Sequence, residues 1–227
     1  MKDFIIVAID GTAASGKSTT AARLAEALGC MNVNTGNHYR CLTSLLIRDG
    51  NSYDDFDSIG EFLGSAVLDT KLNGNCADLV INGMTRDQLD ARSGLVNDQV
   101  SMFAKNQELR KFLKKYQQSL VDFARQNGFG GIVMEGRDIC SVVLPEADFK
   151  FFLTADRGVR VNRSINDNRS DNICLRDSID YSESNITKDA IKVDTTHLDM
   201  DQVLAFMIEV ITASMPARRI SDSLIIK

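Results

Sequence analysis

The residues with the most specific chemistry in the chain lie in one short glycine-rich segment, GTAASGKS, at positions 11–18. This segment matches Gly-x4-Gly-Lys-Ser, a pattern in which the glycines let successive backbone N–H groups face phosphate oxygens. The lysine of such a loop contacts the β- and γ-phosphates, and the serine hydroxyl ligates Mg²⁺. We therefore predict a nucleotide-phosphate site with Lys17 as a catalytic residue and Ser18 as the metal ligand. The residues predicted to bind the phosphate donor are Gly11, Thr12, Ala13, Ala14, Ser15, Gly16, Lys17, Ser18 and Thr19.

The elements around this segment are the ones that a phosphate-binding loop requires. Residues 4–9 form a continuous apolar run rich in β-branched side chains, which predicts a strand buried on both faces of a parallel sheet. After the loop, Ala21, Leu24, Ala25 and Leu28 recur at helical spacing, and Gly29 ends the helix. Strand, loop and helix follow one another in the order that the motif demands.

Arginines follow two other candidate strands. Arg137 and Asp138 come directly after residues 131–135, and Arg40 comes six residues after residues 30–34. Open α/β sheets bind ligands at the carboxyl ends of their strands, and arginine can hold a phosphate through two parallel hydrogen bonds. We therefore expect Arg40 and Arg137 to bind an acceptor phosphate, with surface ion pairs as the alternative. Asp10 and Asp138 are candidates for holding Mg²⁺ through water.

Residues 157–184 are polar and carry regularly spaced arginines. Arginines on a mobile lid could close over a transferring phosphoryl group, whereas spaced charges are more often the solvated face of a helix. The presence of the phosphate loop favours the lid. The segment contains five of these arginines: Arg157, Arg160, Arg163, Arg169 and Arg176.

The remaining pattern predicts a mainly α/β chain with one insertion. Two alternating stretches joined by Asn73-Gly74-Asn75 indicate a β-hairpin within residues 65–84. Apolar periodicity predicts helices over residues 39–48, 94–126 and 200–213, and further strands are expected at 149–153 and 191–194.

Composition narrows the class of protein. With 227 residues, 44% hydrophobic and 25% charged, the chain fits one soluble domain with insertions. Its net charge of −5 argues against general binding to nucleic acid or an anionic membrane. Five scattered cysteines predict free thiols in a reducing cytoplasm, and no segment is apolar enough for a signal peptide or a membrane span. The two histidines lack the spacing of a metal or acid–base site, and the NKxD motif of GTPases is absent.

Together these segments resemble one family, the bacterial cytidylate (CMP/dCMP) kinases, from Ile5 to about Leu204. IDGTAASGKST is similar to the family's IDGPxGxGKxT, with Thr12 in place of proline, and NTGNHYR is similar to DSGxxYR, with Asn34 for Asp and Thr35 for Ser. EGRDICSVVLPEADFKFFL resembles DGRDxGTVVFPxAxxKxFL and is the longest continuous match. The hairpin resembles the family's insertion in its monophosphate-binding region.

The resemblance implies roles for named residues. Ser101 and Arg110 fall where the family reads the cytosine base, Arg92 matches an arginine just upstream, and Arg160 and Arg163 fit the start of the lid. The implied catalytic residues are Lys17, Arg137, Asp138, Arg160 and Arg163. The implied acceptor-binding residues are Thr35, Arg40, Ser101, Arg110, Arg137, Asp138, Arg176 and Asp180.

The lid departs from the family pattern RDxxDxxR. Arg176, Asp177 and Asp180 are kept, but Glu183 stands where the family has an arginine that contacts the base, and the lid is several residues short. A glutamate there reverses the local charge. Two interpretations stay open: a divergent CMP kinase whose lid contacts are rebuilt by neighbours such as Lys188, or a chain that has another acceptor or has lost activity.

The predicted fold is therefore a three-layer α/β P-loop fold with a five-stranded parallel sheet. Residues 1–36, 126–154 and 186–213 are expected to form the core, residues 37–125 a monophosphate-binding insertion with a small antiparallel sheet, and residues 155–185 the lid. We expect a cytoplasmic, monomeric enzyme that uses ATP and Mg²⁺ to phosphorylate CMP or dCMP. The alternatives are a kinase for another nucleoside monophosphate or small molecule, and an ATP-binding regulatory protein with impaired catalysis.

Overall fold

A computed structural model describes residues 4–166 and 186–214 of the chain. These residues build one twisted sheet of seven strands, in the spatial order β3-β4-β2-β5-β1-β6-β7. The strands are β1 (Ile5–Gly11), β2 (Met31–Asn34), β3 (Leu68–Asn73), β4 (Cys76–Ile81), β5 (Gly131–Glu135), β6 (Phe149–Thr154) and β7 (Ile191–Asp194).

The strands β2, β5, β1, β6 and β7 are mutually parallel, as predicted. Since β4 is parallel to β2 as well, the sheet has one more parallel strand than the five predicted. Their carboxyl ends consequently lie along one edge of the sheet. The central strands β1 and β5 are buried on both faces, which explains why their sequences are continuous apolar runs rather than alternating ones.

The predicted hairpin forms, but it continues the main sheet instead of making a separate one. Strands β3 and β4 pair antiparallel through a tight turn in which Gly74 has a φ of 61°. Strand β4 then lies parallel to β2, with Asn32 opposite Cys76. The Asn32 N–H donates to the carbonyl of Asn75 at 2.8 Å. Because β2 would otherwise present unpaired backbone groups at the sheet edge, the hairpin satisfies part of that edge.

Helices cover both faces of the sheet, which gives the predicted three layers. They are α1 (Lys17–Leu28), α2 (Thr35–Arg48), α3 (Phe56–Ser65), α4 (Gly94–Phe103), α5 (Gln107–Gln126), α6 (Arg157–Asn166) and α7 (Met200–Ser214), with a π-helix at Ile139–Val143. Helices α1 and α7 pack on one face, against Val7 and Ile9 of β1. Helix α5 and the π-helix pack on the opposite face, against Ala8. A further core joins α2, α3, β4, α4 and the start of α5.

Several helix boundaries differ from the periodicity of the sequence. Residues 94–126 form two helices, because the Asn106 side chain caps a new one by accepting the Leu109 N–H at 3.0 Å. Helix α2 starts at Thr35, four residues before the predicted position, since Asn34 caps it. Helix α3 was not predicted. Within the polar segment expected to be a lid, residues 157–166 form α6.

The structure can be compared with two expectations drawn from composition. Cys30, Cys41, Cys76 and Cys140 are free thiols, and Cys174 lies outside the described residues. In residues 4–166 and 186–214, no helix combines the length and apolar character needed to cross a membrane.

Candidate active site

The loop between β1 and α1, residues 11–16, is shaped by a close approach of two strands. Gly11 has a φ of 153°, and a Cβ at this position would lie 2.0 Å from the carbonyl oxygen of Leu153 in β6. Only glycine can therefore occupy position 11 without displacing the neighbouring backbone. We call residues 11–18 the donor loop from here on.

The donor loop is tied together by its own side chains. The Lys17 ammonium donates to the carbonyl oxygen of Thr12 at 2.7 Å, and the Ser15 hydroxyl donates to the same oxygen at 2.9 Å. Every peptide bond in the described ranges is trans, so a carbonyl and the next N–H point in opposite directions. Fixing the Thr12 carbonyl therefore also fixes the direction of the Ala13 N–H.

The predicted metal ligand, Ser18, contacts a carboxylate at the end of β5. Its hydroxyl donates to Oε1 of Glu135 at 2.8 Å, and the Asn34 side chain donates to the same hydroxyl at 3.3 Å. Mg²⁺ prefers hard oxygen ligands, so a hydroxyl beside a carboxylate next to a phosphate-binding loop is a donor set that suits it. Glu135 was missed as a site residue, although its position as the last residue of a buried strand could have identified it.

Asp10 and Asp138, the two carboxylates first considered for Mg²⁺, have other contacts. The oxygens of Asp10 accept the N–H groups of Ile139 and Cys140 at 2.8 and 2.9 Å. Burial raises the pKa of Asp10, while those two backbone hydrogen bonds act in the opposite direction. Asp10 therefore anchors the start of the π-helix.

The turn after β5, Gly136-Arg137-Asp138, begins at a second crowded glycine. A Cβ on Gly136 would lie 2.0 Å from Oγ1 of Thr35. The Thr35 hydroxyl donates to the carbonyl oxygen of Glu135 at 2.9 Å, and its side chain is buried. The start of α2 and the end of β5 are thus locked against each other, which fixes where the next two residues go.

Arg137 and Asp138 reach to opposite sides from this turn. The Arg137 guanidinium donates to the carbonyl oxygen of Gly11 at 2.8 Å, so it touches the donor loop. Asp138 adopts a left-handed backbone conformation, with a φ of 56°, and its carboxylate pairs with the guanidinium of Arg110 in α5. The structure therefore brings together two residues, Arg110 and Asp138, that are 28 positions apart in sequence.

Arg40 and Ser101 belong to neighbouring helices of the insertion. The Arg40 Nε donates to the side-chain oxygen of Asn97 at 3.3 Å, and the Asn97 amide donates to the carbonyl oxygen of Arg92 at 3.2 Å. Ser101 lies one helical turn after Asn97 on α4 and is half-buried. Asn97 holds Arg40 from α4, a contact that no sequence motif indicated.

Arg160 and Arg163, the two α6 arginines predicted to belong to a lid, contact the donor loop and Thr195 after β7, respectively. Arg160 is 7% exposed and donates to the carbonyl oxygen of Ala13 at 3.2 Å. Arg163 donates to the hydroxyl and the carbonyl oxygen of Thr195 at 2.9 and 2.7 Å. The remaining lid positions, Arg176, Asp180 and Glu183, lie outside the described residues.

The arrangement gathers cationic side chains from several elements along one edge of the sheet. Lys17 follows β1, Arg40 follows β2, Arg137 follows β5, and Arg160 follows β6. A site of this kind can hold polyphosphate on the donor loop and a second phosphate near the turn after β5, with catalysis by positioning and charge stabilisation.

Comparison with known proteins agrees with that chemistry. The family model described as cytidylate kinase matches residues 7–213. A cytidylate kinase from Exiguobacterium sibiricum is 38% identical over 223 residues, which cover 90% of this chain and 96% of that protein. A cytidylate kinase from Clostridium botulinum (strain Hall) is 34% identical over 215 residues, covering 88% of this chain and 94% of that protein.

One solved structure supports the fold alone. The crystal structure of TT1252 from Thermus thermophilus superposes with a TM-score of 0.51 at 16% identity, over 95% of this chain and 100% of that chain.

Proposed function

The chain belongs to the cytidylate kinase family, and from that premise we propose that it transfers the γ-phosphoryl group of ATP to CMP or dCMP. The observation that carries the proposal is the turn after β5. Its consecutive residues Arg137 and Asp138 contact the donor loop and Arg110 of the insertion, respectively. A residue pair that reaches both sides is what transfer between two bound nucleotides requires.

On the donor side, the backbone amides of the donor loop and Lys17 bind the phosphates of ATP. Ser18 and Glu135 would hold Mg²⁺, since a hydroxyl and a carboxylate lie together beside the loop, joined by a hydrogen bond of 2.8 Å. When bound, Mg²⁺ would offset part of the negative charge on the phosphates.

On the acceptor side, Arg40 and Arg137 bind the monophosphate, and Ser101, Arg110 and Asp138 bind the pyrimidine nucleoside. Support comes from their placement: Arg40 is held by Asn97, and Arg110 is paired with Asp138. Thr35 locks α2 to β5 through the Glu135 carbonyl, lies against Gly136 of the turn, and is proposed to bind the acceptor there.

Catalysis follows from positioning and electrostatics. The attacking phosphate oxygen of the monophosphate needs no strong general base, so none of the residues above has to accept a proton in the transfer. Arg160 and Arg163 offset charge on the transferring phosphoryl group from α6. Arg176 and Asp180, in the proposed lid, bind the acceptor nucleotide.

The division of the chain into three regions belongs to the same proposal. We assign residues 1–36, 126–154 and 186–213 to the core, 37–125 to the monophosphate-binding insertion, and 155–185 to the lid. The chain is proposed to act as a monomer in the cytoplasm, with nucleotides as its partners.

A coupled assay of ADP release tests the proposal directly. With ATP and Mg²⁺, CMP or dCMP should be phosphorylated well above UMP, AMP and GMP, each supplied at millimolar concentration. Phosphorylation of none of the five would contradict the proposal. Tight ATP binding without acceptor-dependent ADP release would instead favour the regulatory alternative.

A further inference from the structure

Thr195, the residue directly after β7, lies between the donor loop and α6. It is 2% exposed. Its hydroxyl can donate to the carbonyl oxygen of Ser15 in the donor loop or to that of Thr154, each at 3.1 Å. The Thr195 N–H also donates to the carbonyl of Thr154 at 2.8 Å, which fixes the residue to the end of β6.

Arg163 holds Thr195 from the other side. Its two terminal nitrogens donate to the hydroxyl and carbonyl oxygens of Thr195, at 2.9 and 2.7 Å. Since the hydroxyl oxygen accepts from Arg163, its own proton remains available for a carbonyl, either Ser15 or Thr154. When that proton faces Ser15, the residues Arg163, Thr195 and Ser15 form a continuous hydrogen-bonded path from α6 to the donor loop.

This path determines which way a phosphate-binding amide points. In a trans peptide the carbonyl of Ser15 and the N–H of Gly16 face opposite directions. Holding the Ser15 carbonyl at Thr195 therefore turns the Gly16 N–H away from Thr195. Arg160 acts in the same way two residues earlier in the loop, because it holds the carbonyl of Ala13 at 3.2 Å and so orients the Ala14 N–H.

We propose that Thr195 is a positioning residue for phosphate binding, which presets the donor loop through the Ser15 carbonyl and is itself set by Arg163. The inference rests on the donor site proposed above. It predicts that removal of the Thr195 hydroxyl weakens binding of the donor nucleotide and leaves the acceptor side unaffected. Within the described residues, the hydrogen bonds of Thr195 go to Ser15, Thr154 and Arg163.

The test replaces Thr195→Val, which keeps the shape and removes the hydroxyl, and Thr195→Ser, which keeps the hydroxyl. Dissociation constants for ADP are measured by calorimetry without acceptor, and KM values for ATP and CMP by coupled assay. Thr195→Val should weaken ADP binding and raise the KM for ATP by about tenfold, as expected for loss of one buried hydrogen bond. The KM for CMP should stay within about twofold, and Thr195→Ser should restore ADP binding to within about twofold of the unchanged chain.

Thr196→Val is the matched control. Thr196 is the next residue, and its hydroxyl contacts Asp194 and the Asp156 N–H rather than the donor loop. ADP binding by this variant should match that of the unchanged chain. If Thr195→Val does not fold, Thr195→Ala is measured in its place.

Three outcomes would overturn the inference. These are wild-type ADP affinity in the hydroxyl-free variant, an equal rise in the KM for CMP, or Thr195→Ser behaving like Thr195→Val. If Thr195→Val lowers the melting temperature but leaves the ADP affinity unchanged, the role of Thr195 is purely structural and the inference is likewise overturned. The proposed kinase activity is judged separately, since an unchanged chain that fails to phosphorylate CMP contradicts that activity whatever Thr195 does.

Discussion

The donor and acceptor sides of the site are built in different ways. The proposed donor loop is made of backbone, held in shape by the tight contact of Gly11 with Leu153 and by hydrogen bonds to its own carbonyls. The proposed acceptor side is made of long charged side chains. Arg40 donates to the side chain of Asn97, and Arg110 donates to the carbonyl of Ala104 and the carboxylate of Asp138. A backbone site fails when the chain path changes, whereas a side-chain site can be weakened one charge at a time.

The largest expected effect is at the crowded start of the donor loop. Gly11→Ala places a Cβ 2.0 Å from the Leu153 carbonyl, so we expect a loss of about 4 kcal/mol or more in the free energy of unfolding, with loss of ADP binding. Urea titration and calorimetry measure both. Gly60→Ala is the control, since nothing lies within 4 Å of a Cβ there; in the exposed interior of α3 it should stabilise by about 0.5–1 kcal/mol. If Gly11→Ala and Gly60→Ala had equal free energies of unfolding, the donor loop would not depend on the tight backbone contact at Gly11.

Arg137 tests the point where the two sides meet. Arg137→Met should lower kcat and raise the KM for CMP, with about a hundredfold loss in kcat/KM. The Gly11 carbonyl that Arg137 contacts shares a peptide unit with the Thr12 N–H, which donates to the Leu153 carbonyl at 3.1 Å. Because this bond holds the peptide unit without Arg137, the KM for ATP should change by less than about threefold. Steady-state kinetics with each substrate varied in turn measure the split. Arg86→Met in the insertion is the control, as its partner Asp87 is a surface residue. A comparable loss of ATP binding in Arg137→Met would show that Arg137 serves the donor loop instead.

Helix α2, which carries the proposed acceptor residue Arg40, should also make the stability of the fold depend on pH, through the buried His38. Burial lowers the pKa of His38 to about 3, and neither ring nitrogen has a hydrogen-bond partner in the described structure. The unfolded chain binds this proton below pH 6.5, so the stability is fully present above pH 6.5 and is lost as the pH falls toward 3. Between pH 6.5 and pH 5 the loss should be about 2 kcal/mol.

The variant His38→Phe removes this titration and keeps an aromatic ring against Tyr116, whose ring centroid lies 5.3 Å away. Urea unfolding at pH 7 and pH 5 should then show a smaller difference than in the unchanged chain. His197→Gln, at an exposed position, is the control and should keep the full difference. If His38→Phe leaves the pH dependence unchanged, His38 is not its source.

Asp138 gives the smallest expected effect. Asp138→Asn keeps a residue type that tolerates the left-handed backbone at this position, where φ is 56°, and removes the charge that faces Arg110. We expect the KM for CMP to rise by about tenfold, with the KM for ATP unchanged. Asp98→Asn, on an exposed part of α4, should change neither value. A rise in both KM values would contradict the assignment of Asp138 to the acceptor side.

The same difference explains what the sequence could predict. The donor loop is local: its motif, strand and helix follow one another within residues 5–28, so the pattern was sufficient. Parallel strands were recognisable because strands buried on both faces must be apolar throughout. The contact of Ser18 with Glu135 spans 117 positions and that of Thr195 with Ser15 spans 180, and no local pattern encodes such distances.

The predictions of helix boundaries were wrong for a similar reason. The apolar stripe over residues 94–126 is continuous because α4 and α5 contribute to the same core, so periodicity alone could not reveal the break. The cap at Asn106 was the available signal, since its side chain accepts the Leu109 N–H. Helix α3 was missed because its apolar stripe is short, with only Ile59 and Leu63 buried.

The π-helix at Ile139–Val143 has a consequence for how this part of the chain can change in evolution. Its backbone closes with the Val143 N–H on the Asp138 carbonyl and the Leu144 N–H on the Ile139 carbonyl, so each turn contains one residue more than an α-helical turn. Deleting one residue here would restore an α-helical turn and swing Asp138 and the Asp10-bound amides out of alignment with β1. Substitutions at the exposed Val142 would leave that alignment intact. In this segment an insertion or deletion is therefore a more severe mutation than almost any exchange of side chains, and the number of residues is itself a functional property of the enzyme.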